Sequence, residues 1–99
     1  MRLRHIRGAE EAIETSPFVI QKPKEHRGHF CELFGNTNPI QIEVGMGKGK
    51  FIMELAQKHP ETNFIGIERY SSVLLRALQK REELEIPNIY FMCVDAKEL

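Results

Sequence analysis

Cysteine is scarce in this chain, its apolar runs are short, and its formal net charge is zero. Two cysteines, Cys31 and Cys93, are too few for a disulfide framework, and they fit reduced thiols in a cytoplasmic protein. No stretch approaches the roughly 20 consecutive apolar residues that a membrane-spanning helix needs. The Arg-rich opening "MRLRHIRGAEEAIE" is not followed by an apolar run of signal-peptide length, so neither export nor membrane insertion is expected. Internal repeats and low-complexity tracts are missing too.

What is present suits one small soluble domain: 99 residues, 41% apolar and 28% charged. One modest core is all that this length supports. Charge is unevenly placed. Residues 1–30 hold six Lys/Arg against four acids, whereas residues 31–99 hold eight against ten, so the basic excess lies at the front.

Residues 1–39 have weak periodicity and hold Pro17, Pro23 and Pro39. They read as a basic, largely irregular arm, with helical turns expected at Ala9 to Glu14 and in "FCELFGN", where Gly35 and Asn36 end the second. From Ile40 the pattern sharpens. "PIQIEV" reads as a strand, and "GKFIMELAQKHP" sets Phe51, Ile52, Leu55 and Ala56 on one helical face before Pro60 stops it. "NFIGIE" reads as a second strand. "YSSVLLRALQKREEL" then places Tyr70, Val73, Leu74, Ala77, Leu78 and Leu84 on one stripe, with Ser71 or Ser72 as N-cap. "NIYFMCVDA" is a third strand, and the alternation predicts parallel pairing in a doubly wound α/β arrangement.

The first strand runs into three alternating glycines, Gly45, Gly47 and Gly49, and then directly into a helix. In a parallel α/β sheet the ligand crevice lies beyond the carboxyl ends of the strands, where glycine tolerates positive φ and keeps no Cβ between ligand and backbone. The helix N-terminus adds free N–H groups there. Neither common nucleotide template fits. A dinucleotide fingerprint wants glycine where Lys50 stands, and a phosphate-binding P-loop needs a Gly-Lys-Ser/Thr ending that is missing.

What fits is acid-x-Gly-x-Gly-x-Gly, here Glu43 to Gly49, which resembles the first motif of Rossmann-like S-adenosylmethionine-dependent methyltransferases. A carboxylate at the strand end suits a ligand that carries an ammonium and a sulfonium rather than a pyrophosphate. Glu68 ends the second strand, where its two oxygens suit the two ribose hydroxyls, a device that NAD enzymes share. Asp95 follows the third strand and is placed to meet the adenine amine; a solvated acid or a helix N-cap is the other reading of it.

Taken together, "MRLR", "ELFGNTNPIQIEVGMGKGKFI", "NFIGIERYSSVLLRALQK" and "NIYFMCVDA" resemble the bacterial tRNA (guanine-N7)-methyltransferases and cover most of the chain. That resemblance implies a partial Rossmann-like fold of three parallel strands with crossover helices, residues 40–99 forming the first half of the S-adenosylmethionine-binding domain. It implies cofactor contacts from Glu43, Gly45, Gly47, Gly49, Glu68 and Asp95, and methylation of tRNA guanine 46 at N7. The acid that the family assigns a catalytic role belongs to later elements. No catalytic residue is therefore expected before Leu99, and the chain alone is expected to be inactive, the N-terminal part of such an enzyme.

Arg2, Arg4 and Arg7 head a basic arm suited to tRNA phosphates, and a solvated N-terminus accounts for them equally well. His26, His29 and Cys31 lack a fourth metal ligand at finger-like spacing, so a polar loop and no metal are expected. Cys93, within an apolar strand and without an adjacent base, reads as a buried structural thiol. Lys48 and Lys50 are left without a role. The rival readings are an NAD-binding oxidoreductase module and a non-catalytic RNA-binding adaptor on the same fold. Oligomeric state is not legible.

Overall fold

The alternation of strand- and helix-forming segments becomes a three-stranded parallel sheet of order β1-β2-β3 in the computed structural model, which describes residues 8–22, 30–95 and 97. Its elements are α1 (Ala9–Thr15), α2 (Cys31–Phe34), β1 (Ile40–Val44), α3 (Lys50–Lys58), β2 (Asn63–Ile67), α4 (Ser71–Leu84) and β3 (Ile89–Met92). Val44 pairs with Ile67 and Ile67 with Met92, so the three strands finish level with one another. A level rim at the carboxyl ends is what a shared ligand crevice requires.

Period-2 alternation divides β2 and β3 between two cores. Phe64, Ile89 and Phe91 pack against Ile52, Met53 and Ala56 of α3 and Leu74, Ala77 and Leu78 of α4. Ile65, Ile67 and Met92 face the other way, onto Leu33 and Phe34 of α2 and onto Phe30. The crossover helices α3 and α4 therefore share one face, and the second face is covered by α2 rather than by a crossover helix.

Two stripes differ from the expectation. Phe51 is 64% exposed, and Met53 takes the buried place instead, because α3 turns Ile52, Met53 and Ala56 toward the sheet. On α4, Tyr70 and Leu84 are exposed at the ends of the stripe while Arg81 is buried. The N-cap position of α4 is Tyr70, with no side-chain cap hydrogen bond, rather than Ser71 or Ser72. Cys93 lies just past the end of β3 and is half-buried.

Polar groups close the remaining gaps. The Asn88 side-chain amide lies 2.8–3.1 Å from the carbonyls of Ala56, His59 and Thr62, sharing its two hydrogens between the end of α3 and the turn that follows it. Phe18 to Ile20 run beside β3: Phe91 N–H donates to the Phe18 carbonyl at 2.9 Å and Ile20 N–H to the Phe91 carbonyl at 2.7 Å. That segment covers the outer edge of β3. The outer edge of β1 pairs with no strand among the described residues, and Ile42 and Val44 are 53% and 61% exposed there.

Candidate functional site

A crevice of about 290 Å³ opens at the level rim and is lined by Val44, Gly45, Ile67, Glu68, Arg69, Tyr70, Val94 and Asp95. Each strand end contributes to it. The turn after β1 folds back onto β2, where the Ile67 carbonyl accepts from the N–H groups of Gly45 at 2.8 Å and Met46 at 3.2 Å.

The three glycines all have positive φ, at 68°, 61° and 78°, but they do different things. Gly45 faces the crevice, with nothing within 4 Å of where a Cβ would stand. Gly47 turns its N–H to Glu68. Gly49 is the N-cap of α3 and is buried against α4, since a Cβ there would stand 2.9 Å from the Met53 methyl and 3.3 Å from the Ala77 Cβ. Its lack of a side chain makes room for the packing of α3 on α4.

Glu68 is the hub of the site. Although a carboxylate, it is only 8% exposed, and a buried charge of this kind must be hydrogen-bonded. Oε1 accepts from Gly47 N–H at 3.2 Å and Oε2 from Tyr70 N–H at 3.2 Å, so one carboxylate ties the turn after β1 to the turn after β2. Each oxygen keeps a further lone pair for a ligand. A pair of ribose hydroxyls matches that remaining capacity.

Asp95 stands at the far side of the crevice. Its Oδ1 accepts from Lys97 N–H at 3.0 Å, and its Oδ2 lies 3.8 Å from the Arg69 guanidinium. Backbone capping and crevice lining thus coexist in this residue. Glu43 lies elsewhere, on the α3 face of β1, where it lines a second cavity with Phe51, Ile52 and Leu55. Partial burial pushes its carboxyl above the ordinary glutamate value. Gly45, Glu68 and Asp95 are therefore brought together around one crevice, Gly47 joins them through Glu68, and Glu43 and Gly49 stand apart.

Arg2, Arg4, Arg7, His26 and His29 lie outside the described residues; Cys31 is exposed at the start of α2. Sequence reasoning missed Arg69, Tyr70 and Val94 as crevice residues. The position of Arg69 and Tyr70 directly after the strand-end acid was the signal that could have found the first two. Among the described residues no helix is long and apolar enough to cross a membrane.

Comparison with known proteins bears on the family and the fold. Residues 37–99 match a protein-family model described as "Putative methyltransferase". The whole chain is 54% identical over 99 residues to a tRNA (guanine-N(7)-)-methyltransferase of Lachnoclostridium phytofermentans, covering 46% of that protein. It is 48% identical over 100 residues to the enzyme of the same name from Streptococcus mutans, covering 47% of it. The chain thus spans about half the length of the curated relatives it matches. A solved structure described as that of an antibiotic-related methyltransferase superposes with a TM-score of 0.59 at 23% identity, over 74% of this chain and 38% of that one. The shared architecture is a partial Rossmann-like α/β fold.

Proposed function

The chain belongs to this methyltransferase family, and on that premise we propose that it carries the S-adenosylmethionine site of a tRNA (guanine-N7)-methyltransferase. The observation that carries the reading is the Glu68 carboxylate, buried at the end of β2, tied to the glycine turn through Gly47 N–H and facing the strand-end crevice. A methyl donor of the S-adenosylmethionine type is what the family implies. Its nucleoside fits the residues present: Glu68 would accept from the ribose hydroxyls, Gly45 would let the ligand lie against backbone, and Asp95 would accept from the adenine amine.

Bound there, S-adenosylmethionine supplies a methyl group activated by a sulfonium. The role of this chain is to hold and orient it, since fixing two reactants at near-attack distance removes at most roughly 7 to 11 kcal/mol of barrier. Guanine N7 attacks through an in-plane lone pair and has no proton to lose, so no general base is required of the residues described. That the acceptor is guanine N7 of a tRNA rests on the relatives' names, and its placement at position 46 rests on the sequence resemblance alone. The arginines Arg2, Arg4 and Arg7 are assigned to RNA phosphate; charge-neutral substitutions there should weaken tRNA binding at low salt.

Neither an NAD-binding oxidoreductase nor a non-catalytic adaptor draws support from relatives that are named for methyl transfer. The deciding experiment is calorimetric titration of the folded chain with S-adenosylmethionine and, separately, NAD, with Glu68→Ala as control. Binding of S-adenosylmethionine alone, weakened by the substitution, is expected. Binding of NAD alone would overturn the reading.

A further inference from the structure

Arg69 leaves the turn after β2 directly behind Glu68 and reaches across to the end of β3. Its Nη1 stands 3.8 Å from Asp95 Oδ2, and its Cζ lies 4.7 Å from the centre of the Tyr70 ring. All three side chains line the crevice. The other oxygen of Asp95 is held by Lys97 N–H, so the carboxylate is gripped from both sides.

The two partners are 58% and 38% exposed. An ion pair this open contributes little to folding, because water screens it and two long side chains lose freedom in forming it. Its geometric consequence is larger: it joins the second strand-end turn to the third across the mouth of the crevice and sets a cation beside the Asp95 carboxylate. Glu68 joins the first turn to the second in the same manner. The two carboxylates and Arg69 thus tie all three turns into one frame.

We propose that Arg69 is a positioning residue of the nucleoside site, aiming the Asp95 carboxylate at the base through their ion pair while stacked on Tyr70. The proposal rests on the reading of the crevice as an S-adenosylmethionine site. Arg69 acts on the ligand through Asp95, so removing either partner should cost the same interaction.

The test is a double-mutant cycle on ligand affinity, read by calorimetry with S-adenosylmethionine and with adenosine on the full chain and on Arg69→Ala, Asp95→Asn and the double variant. Arg69→Ala is expected to weaken both ligands by about threefold to tenfold, and the double variant to bind no worse than Asp95→Asn alone. Arg69→Lys, which keeps the charge, should recover part of the loss. In about 1 M salt, where the screening length falls to about 3 Å, the coupling should fade. Melting temperatures should barely move, which separates positioning from folding. Equal affinity of Arg69→Ala and the unaltered chain, or strictly additive losses, would overturn the proposal while leaving the cofactor site intact. Failure of the unaltered chain to bind either ligand would overturn the site itself, and this inference with it.

Discussion

The Met46 side chain occupies the space over Gly66 that a Cβ on that strand residue would need. A methyl on Gly66 would collide with the Met46 sulfur and stand 3.3 Å from the Phe91 ring. Met46 sits between two of the turn's glycines yet is only 7% exposed, packed in the core with Ile52. The turn is thus pinned from beneath by one inserted side chain, and β2 carries a glycine among β-formers to receive it.

Gly66→Ala should therefore destabilise the protein by about 1 to 3 kcal/mol, the usual cost of overpacking a filled core. Thermal unfolding followed by circular dichroism measures it. Adding Met46→Ala should cost less in the Gly66→Ala chain than in the unaltered one, because the collision is then relieved and the two changes are coupled. A double variant that melts at the sum of the two single losses would show that the pair does not interlock.

Glu68→Gln keeps the shape of the side chain but replaces one accepting oxygen with a donor. One of the two N–H groups now facing the carboxylate, Gly47 or Tyr70, must then lose its acceptor. Hydrogen bonds to a charged group are worth about 1.5 to 3 kcal/mol each, so amide exchange at Gly47 or Tyr70 should accelerate at least tenfold. S-adenosylmethionine affinity should fall in parallel. Unchanged exchange at both amides would remove Glu68 from its role as the link between turns.

The strands, the glycine turn and Glu68 were legible because each leaves a local mark: β-formers in short runs, alternating glycines, and an acid at a strand end. Phe51 was misplaced because helical spacing defines a stripe but not its centre, and Met53 is as apolar as Phe51. Cys93 was assigned to a strand that ends at Met92. Arg81, Asn88 and the pairing of Phe18 to Ile20 with β3 were not legible at all. Each depends on a partner far away in sequence, which no local pattern reports. Within the site, Glu43 and Gly49 share a motif with Gly45, yet adjacency in a motif does not make them face one crevice; strand alternation turns Glu43 to the α3 side and helix packing claims Gly49.

Glu43 gives the chain a pH signature of definite sign. Burial raises its folded-state value, so the folded chain holds the proton to higher pH than the unfolded chain does. Between the two values the folded state binds more protons, and stability falls as pH rises through that window. Glu43→Gln removes the penalty. The variant should melt above the unaltered chain at neutral pH, and the gap should close by about pH 3.5, below the ordinary glutamate value of about 4.3. A gap that instead widened toward low pH would contradict the burial of this carboxyl.

The two thiols should react in a fixed order. Cys31 is exposed, whereas Cys93 is half-buried, with Sγ 3.8 Å from the Arg69 carbonyl, and its thiol is pushed up by burial first and then by Glu68 and Glu10. Alkylation needs thiolate and access. Mass spectrometry after brief iodoacetamide treatment at pH 8 should find Cys31 modified well before Cys93. The reverse order would mean that the end of β3 opens readily.

Arg81 closes the far edge of the sheet, and its chemistry makes the chain intolerant of lysine there. Only 7% exposed, it donates from Nε to the Ile89 carbonyl at 2.9 Å and lays its guanidinium 3.6 Å over the Phe18 ring. A lysine at this site keeps the charge but has no planar face to stack and no Nε to donate. Loss of the Nε hydrogen bond and of the planar stack on Phe18 should cost about 2 to 4 kcal/mol. Because Phe18 anchors the segment that pairs with Phe91, Arg81→Lys should also speed amide exchange at Ile20 and Phe91, whose N–H groups make that pairing, before it affects Gly45 at the opposite side of the sheet. An Arg81→Lys protein that melts normally with both amides still protected would show that Phe18 to Ile20 hold to β3 by backbone pairing and apolar burial alone, without the arginine.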